Sequence, residues 1–262
     1  MYDFHKDKKR YFNYQYRTAK EHILPFVEDF LPANKPRQIL EIGCAEAGVL
    51  KAFLENGDQC LGIELLESRT ALAKEFHKKA LEEGRIKFLN KNIYDIDITN
   101  DIGHKFDLII LKDVIEHIPE QEKIIPKLKE FLNKDGKIFF GFPPWYMPFG
   151  GHQQICENKL LKKLPYFHLL PMPLYKKVLK SFGETDKRIV DLEEIKETGI
   201  SIERFRKIIK QSGLKTYKKQ DWLFNPIYEY KFNVKPKKQI GLVSGIPFVR
   251  NFFTTAVYYL VG

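Results

Sequence analysis

The stretch RQILEIGCAEAGVL, residues 37–50, most constrains what this chain can fold into. Its apolar residues Ile39, Leu40 and Ile42 flank an acid, Glu41, and the run is short enough for one buried strand. The chain then passes through Gly43, Cys44, Ala45 and Ala47 into the apolar start of a helix at Val49. A turn with so little side chain lets a ligand approach the backbone. In an open α/β sheet such a strand–turn–helix unit lies at the edge where ligands bind.

The pattern repeats downstream. A helix over 49–55 is ended by Asn56-Gly57, a strand over 60–63 stops at Glu64, and residues 69–81 have helical spacing. A strand over 86–89 is followed by Asn92. FDLIIL, residues 106–111, has the unbroken apolar run of a strand covered on both faces. A helix is predicted over 126–132 and a strand over 137–142. This alternation predicts an α/β fold, Rossmann-like, with a mostly parallel sheet and helices on both faces. After FDLIIL comes KDVIEHIPE, in which Asp113, Glu116 and His117 have helical i, i+3, i+4 spacing.

Residues 143–200 break the rhythm. FPPWYMPFGGHQQ reads as an irregular loop leaving a strand end, and residues 159–180 carry six lysines and no acid among Leu, Tyr, Phe and Pro. That apolar content requires burial, so the segment is an insertion rather than a linker. A helix capped by Ser201 runs to Gly213, followed by strands over 214–217, 227–234 and 254–261, with an apolar turn-helix segment at 240–253. Ahead of the core, Tyr2, Phe4, Tyr11, Phe12, Tyr14 and Tyr16 precede a helix over 18–30 interrupted at Pro25. Aromatics this dense cover a surface, either the outside of the domain or a ligand beneath a lid. The expected division is an N-terminal segment (1–36), a cofactor-binding core (37–142), a substrate-side insertion (143–200) and a C-terminal completion of the sheet (201–262).

The formal net charge is +10, compatible with a lysine-rich surface, nucleic acid, an anionic membrane or an anionic substrate. Cys44, Cys60 and Cys156 have no CxxC spacing and are odd in number, which points to a reducing cytoplasm and away from a cysteine-held metal. The polar, basic start of the chain is unlike a signal peptide, and no run of about 18 apolar residues suggests a spanning helix.

Four features fall where successive strands should stop: Glu41 with Gly43, then Glu64, Asn92 and Lys112-Asp113. Strands of an open parallel sheet end on one edge, so these residues can line a single crevice. An acid at the end of the second strand suits a ribose diol, because a carboxylate accepts from both hydroxyls. LEIGCAEAG, Glu64 in LGIEL, Asn92 in NKNI and FDLIILKDVIEHIP together resemble the successive motifs of class I S-adenosylmethionine-dependent methyltransferases. The resemblance implies a seven-stranded sheet whose last strand is antiparallel, and S-adenosylmethionine as cofactor. It places Glu41, Gly43, Cys44 and Ala45 near the methionine part, Glu64 with Leu65 at the ribose, Asn92 and Ile93 at the adenine, and Lys112 near the sulfonium.

Two departures from the family pattern stand out. Ala45 and Ala47 occupy turn positions usually held by glycine, which penalises positive φ, and Asn92 stands where Asp is usual. Glu46 places a negative charge in the turn, which disfavours a dinucleotide's diphosphate and suits a cofactor without phosphate. His152, beside two glycines, is the first candidate to remove a proton from an acceptor hydroxyl, with Asp113 and His117 second. Asp113, Glu116 and His117 also form a conceivable divalent metal set, but no metal is assigned. The expected reaction is O-methylation of a small or amphiphilic acceptor: a sugar, a lipid-linked glycan, a phenol or a lipid hydroxyl. The alternatives are an RNA methyltransferase, since the basic aromatic insertion could hold phosphates and stack bases, or a cofactor-binding scaffold. The 240–253 segment offers a surface for peripheral membrane contact. Oligomeric state has no signature in the sequence.

Overall fold

The computed structural model describes residues 7–262, so Tyr2 and Phe4 lie outside the described residues. One eight-stranded sheet organises them, in the order β3-β2-β1-β4-β5-β8-β6-β7. β1 (Gln38–Ile42) is paired in parallel with β2 (Gln59–Ile63) on one side and β4 (Phe106–Lys112) on the other. β3 (Ile86–Leu89) and β5 (Leu132–Phe142) extend the parallel part outward. The last strand, β8 (Ala256–Val261), runs antiparallel between β5 and β6 (Thr216–Phe224), as the family resemblance implies. The strand count is eight rather than seven, because the two-residue β7 (Lys237–Lys238) adds an edge to β6.

β1 is the switch point, since the order runs one way to β2 and the other way to β4. The crevice expected there opens at the carboxyl ends of these strands. β4 is buried through six of its seven residues and supplies both faces. Ile109 and Leu111 join Phe140 and Phe205 in the core on one side, while Leu108 and Ile110 join Phe53, Phe139 and Tyr258 on the other. This period-2 partition of an all-apolar run is what makes a central parallel strand.

Several elements depart from the sequence expectation. The first helix, α1 (Lys8–Thr18), begins about ten residues early because Asp7 caps it, its Oδ1 accepting from the Arg10 amide at 2.9 Å. A widened turn at Ala19–Ile23 continues α1 into α2 (Leu24–Val27), and it lies directly before Pro25, where the helical path lacks an N–H and the ring must clear the preceding turn. After α3 (Gly48–Glu55), the helix expected over 69–81 is split into α4 (Glu67–Phe76) and α5 (Lys78–Glu82) at His77, whose ring Nε2 is 3.0 Å from the Ala47 carbonyl. Asp113, Glu116 and His117 are not on a regular helix; only a single 3₁₀ turn, Ile115–His117, forms. The helix assigned to 126–132 is instead α6 (Gln121–Lys127), ended by a 3₁₀ turn over Leu128–Phe131, and the strand after it starts at Leu132.

Residues 143–200 are more helical than expected, with α7 (Met172–Ser181) and α8 (Asp186–Thr198), the latter capped by Thr185. They bury Cys156, Leu161, Phe167, Tyr175, Leu179 and Leu192 in a cluster of their own, which is where the insertion's apolar residues go. α9 (Ile202–Gln211) has the Ser201 cap read from the sequence. Residues 227–234 do not form a strand. β6 takes the hydrogen-bonding edge of β8, and Pro226, which has no N–H to give a sheet, is followed by the short helix α10 (Tyr228–Phe232). The 240–253 segment holds α11 (Gly241–Gly245) and α12 (Val249–Phe252). Among the described residues no helix is long and apolar enough to cross a membrane.

Candidate active site

Glu41, at the penultimate position of β1, is 4% exposed and its Oε2 has no hydrogen-bond partner. Burial, and next the charge of Glu64, push its carboxyl well above the usual range, while Lys112 and the Leu50 amide pull the other way. The turn that follows is tied to the end of β2: the Gly43 and Cys44 amides donate to the Ile63 carbonyl at 2.8 and 3.1 Å. Gly43 has φ +67°, and a Cβ there would lie 2.6 Å from Val114 Cγ2, so this position requires glycine.

Ala45 and Ala47 adopt left-handed φ of 50° and 60° despite their methyl groups, at a cost of about 1 kcal/mol each. Hydrogen bonds hold them there. The Ala47 amide donates to the Cys44 carbonyl at 2.7 Å, and the Ala45 amide donates to Glu64 Oε2 at 2.9 Å. The turn therefore keeps the shape that glycines would give it. Glu46 is 3% exposed and paired with Lys8 of α1 at 2.9 Å, so part of the negative charge read in this turn is balanced from outside it.

Glu64 stands at the carboxyl end of β2, its other oxygen accepting from the Leu66 amide at 3.0 Å. Leu65 beside it is 66% exposed. Cys44 is buried, its sulfur packed so close to Gly62 that a Cβ there would lie 2.7 Å away. Asn92 spends its side-chain oxygen on the Tyr94 amide at 3.1 Å, and Ile93 is buried in the core. Asn90, which sequence reasoning missed, lies two residues earlier, directly after β3, and its Nδ2 donates to the Glu64 carbonyl at 3.1 Å. It fixes the acid to its neighbour strand, and a search restricted to the family position passes over it.

Lys112 ends β4 and its ammonium pairs with Asp113, which takes a left-handed φ of 56°. Burial works to raise the Asp113 carboxyl, but Lys112 outweighs it and holds the group below the usual range. Two side chains from a distant segment lie in the field of Asp113: Lys231 of α10, lowered to about 8 mainly by burial, and the neutral Tyr228, raised to about 12 by burial and by Asp113. Neither carries a motif, and only the return of α10 to the sheet edge brings them here.

His152 and His117 come together with ring centroids 4.7 Å apart in an edge-on arrangement. His152 has a left-handed φ of 54° and is pushed down to about 3, first by burial and then by His117. The metal set weighed from the sequence is regrouped: Glu116 lies with His117 and His152, while Asp113 is committed to Lys112.

The histidine that holds the loop is a different one, His168. It is fully buried, its Nε2 is 2.8 Å from the Trp145 carbonyl, and its Nδ1 is 3.0 Å from Gln153 Nε2. These partners assign Nε2 as the protonated nitrogen of a neutral ring. A Cβ on Gly151 would lie 2.2 Å from His168 Cβ, so that glycine makes room for the contact that presents His152. Burial pushes His168 down to about 4, with Lys196 adding to the effect.

The unfolded chain, with an ordinary histidine pKa, takes up a proton below pH 6.5 that the folded chain refuses until about pH 4. Stability linked to His168 is therefore complete above pH 6.5 and falls as pH drops toward 4, by roughly 3 kcal/mol over the window. Urea unfolding at pH 7.5, 6 and 5 should show a shallower decline for His168→Gln than for the parent. Equal slopes would refute the assignment.

A family model described as a methyltransferase domain matches residues 12–168, more than half of the chain. The chain belongs to this family, the S-adenosylmethionine-dependent methyltransferases of class I fold. Among curated proteins it is similar to the ubiquinone biosynthesis O-methyltransferase of Coxiella burnetii, 26% identical over 106 residues, which are 40% of this chain and 43% of that one. The corresponding protein of Idiomarina loihiensis is 28% identical over 117 residues, 45% of this chain and 46% of the relative. The match thus spans less than half the length of these relatives. Among solved structures, an S-adenosylmethionine-dependent methyltransferase from Clostridium acetobutylicum has a TM-score of 0.56 at 15% identity, over 94% of this chain and 91% of that one. The plantazolicin methyltransferase BpumL, in complex with SAH, gives 0.54 at 10% identity, over 99% and 86%. At such identities the likeness is one of fold.

Proposed function

We propose that this enzyme transfers the methyl group of S-adenosylmethionine to a hydroxyl of a small or amphiphilic acceptor. The observation that carries the reading is the convergence, at one sheet edge, of the buried Glu41 and Glu64 carboxylates with the Asp113, His117 and His152 group. A buried acid raised by burial and by the charge of a second one beside it suits a cationic ligand without phosphates. The unpartnered oxygen of Glu41 suits an ammonium group, and each Glu64 oxygen keeps a lone pair beyond its backbone bond for a ribose hydroxyl. The residues present therefore fit the cofactor.

S-Adenosylmethionine supplies, when bound, a methyl group already activated on a sulfonium. The protein's task is to orient and to handle a proton. Glu41, Gly43, Cys44 and Ala45 would border the methionine part, Glu64 and Leu65 the ribose, Asn92 and Ile93 the adenine, and Lys112 the reacting end. His152, His117 and Asp113 would stand at the acceptor side and would take up the proton that the acceptor hydroxyl gives up on methylation. α1 covers the turn closely, because a Cβ on Gly48 would lie 2.5 Å from the Phe12 carbonyl oxygen; this suits a segment that keeps water from the site.

An amphiphilic acceptor is supported by the apolar rim beside the insertion. The Phe252 ring lies tilted against Tyr146 with centroids 5.5 Å apart, its carbonyl accepts from the Tyr166 hydroxyl at 3.1 Å, and Leu242, Phe248 and Phe253 nearby in sequence are more than half exposed. Two of the curated relatives are named for O-methylation in ubiquinone biosynthesis, which favours a phenolic acceptor. The test is transfer from methyl-labelled S-adenosylmethionine to a panel of polyprenyl phenols, glycolipids, sugars and RNA. Label on a phenolic or sugar hydroxyl is the expected result. Label on RNA alone would overturn the reading.

A further inference from the structure

Glu116 is 4% exposed, and neither of its carboxylate oxygens has a hydrogen-bond partner. Two orphaned oxygens on one buried carboxylate are costly, because each unmet acceptor loses its water without gaining a partner. The rest of the chain spends its donors elsewhere: Lys112 on Asp113, Gln121 on the Ile115 and Thr198 carbonyls, and the Thr198 hydroxyl on the Glu116 carbonyl rather than the side chain. Beside the carboxylate lie a pair of imidazoles and, next to them, the Asp113 charge that Lys112 balances. One ligand atom each from Glu116, His117 and His152 lies within 4.8 Å of the others.

We infer that Glu116, His117 and His152 form a seat for a divalent first-row cation at the acceptor side of the cleft. An ion about 2.0–2.2 Å from each donor brings donor atoms to about 3–4 Å from one another, so small side-chain rotations close the present spread. One carboxylate and two imidazoles are a donor set for Zn²⁺, Mn²⁺ or Fe²⁺ rather than for Mg²⁺ or Ca²⁺, which prefer oxygen throughout. The chain is shaped to present the set. His152 is held with positive φ, a strained conformation for a non-glycine residue that is maintained where geometry matters. His168 and Gln153 hold its loop from behind.

The inference rests on the proposed reading of the cleft and sharpens the role of His152, since a cation there would acidify a hydroxyl brought against it. The test is calorimetric titration of the chelator-treated full chain with Zn²⁺ alone and with Mn²⁺ alone, with bound metal counted by elemental analysis. One equivalent is expected for the parent. Affinity should fall at least tenfold in Glu116→Gln, which keeps the buried shape, and in His117→Ala, which changes an exposed side chain. No bound metal, or unchanged affinity in both variants, would overturn the site. S-Adenosylmethionine titrated into the same samples separates the two claims: metal without cofactor binding would overturn the proposed function and leave the metal seat, and the reverse would remove the metal seat alone.

Discussion

Glu64→Ala should weaken S-adenosylmethionine binding by about a hundredfold or more, measured by calorimetry. On the proposed assignment the carboxylate accepts from both ribose hydroxyls, and hydrogen bonds to a charged group are worth about 1.5–3 kcal/mol each, so two of them account for at least two decades in affinity. A second loss adds to this. Glu64 also receives the Ala45 and Leu66 amides, and without it the left-handed conformation of Ala45 loses the bond that offsets its strain. Glu64→Gln separates the two contributions, because the amide retains one acceptor for the ribose or the turn but not the charge, and an intermediate loss of about tenfold is expected. If Glu64→Ala binds the cofactor like the parent while melting as cooperatively, the ribose assignment fails.

The part of this site legible in the sequence is the part made by local order. β1, its turn and the acid after β2 follow from apolar period, small residues and strand length, and parallel pairing then brings Glu41, Gly43 and Glu64 to one edge with no further information. The two alanines looked like a weakness, and the turn nonetheless takes the glycine shape, because a carboxylate 19 residues away donates nothing and accepts the Ala45 amide. No local rule contains that bond. The same limit explains residues 227–234. Their aromatic and β-branched composition favours a strand, yet β6 takes the edge of β8, the outer edge of β6 goes to the two-residue β7, and a short helix results.

The acceptor side was less legible for a related reason. Asp113, Glu116 and His117 share a helical spacing in the sequence, but the chain turns through a left-handed Asp113 and a single 3₁₀ turn, and Asp113 pairs with Lys112 while its charge still acts on the other two. The partner Glu116 and His117 gain is His152, 35 or more residues later in an insertion whose path is set by His168 and by the insertion's own apolar cluster. The signal for α8 was present in Thr185 and in the spacing of Ile189 and Leu192. The proline-rich, irregular start of the insertion obscured it.

At the opposite end of β1 the largest loss of stability is expected from Arg37→Met. Arg37 is 1% exposed and Asp58 fully buried; the guanidinium donates to both Asp58 oxygens at 2.8 and 2.9 Å and to Glu28 at 3.1 Å. This fork ties the turn before β2 and the end of the N-terminal helical segment to the start of β1, where the Gln59 amide also donates to the Arg37 carbonyl at 2.9 Å. Removing one member of a buried pair leaves the other charged and unpaired, which costs about 3–5 kcal/mol. Asn56 reaches Asp58 Oδ2 at 3.3 Å and cannot replace the lost charge. For a chain of this size that loss lowers the melting temperature by on the order of 10 °C. The double variant Arg37→Met, Asp58→Leu should recover most of it, because two apolar side chains of similar volume need no compensation. The fork lies at the amino ends of the strands, so cofactor affinity measured well below the transition should be unchanged in either variant. A loss under 1 kcal/mol in the single variant, or no recovery in the double, would show that this ion pair is not what holds the N-terminal segment against the sheet.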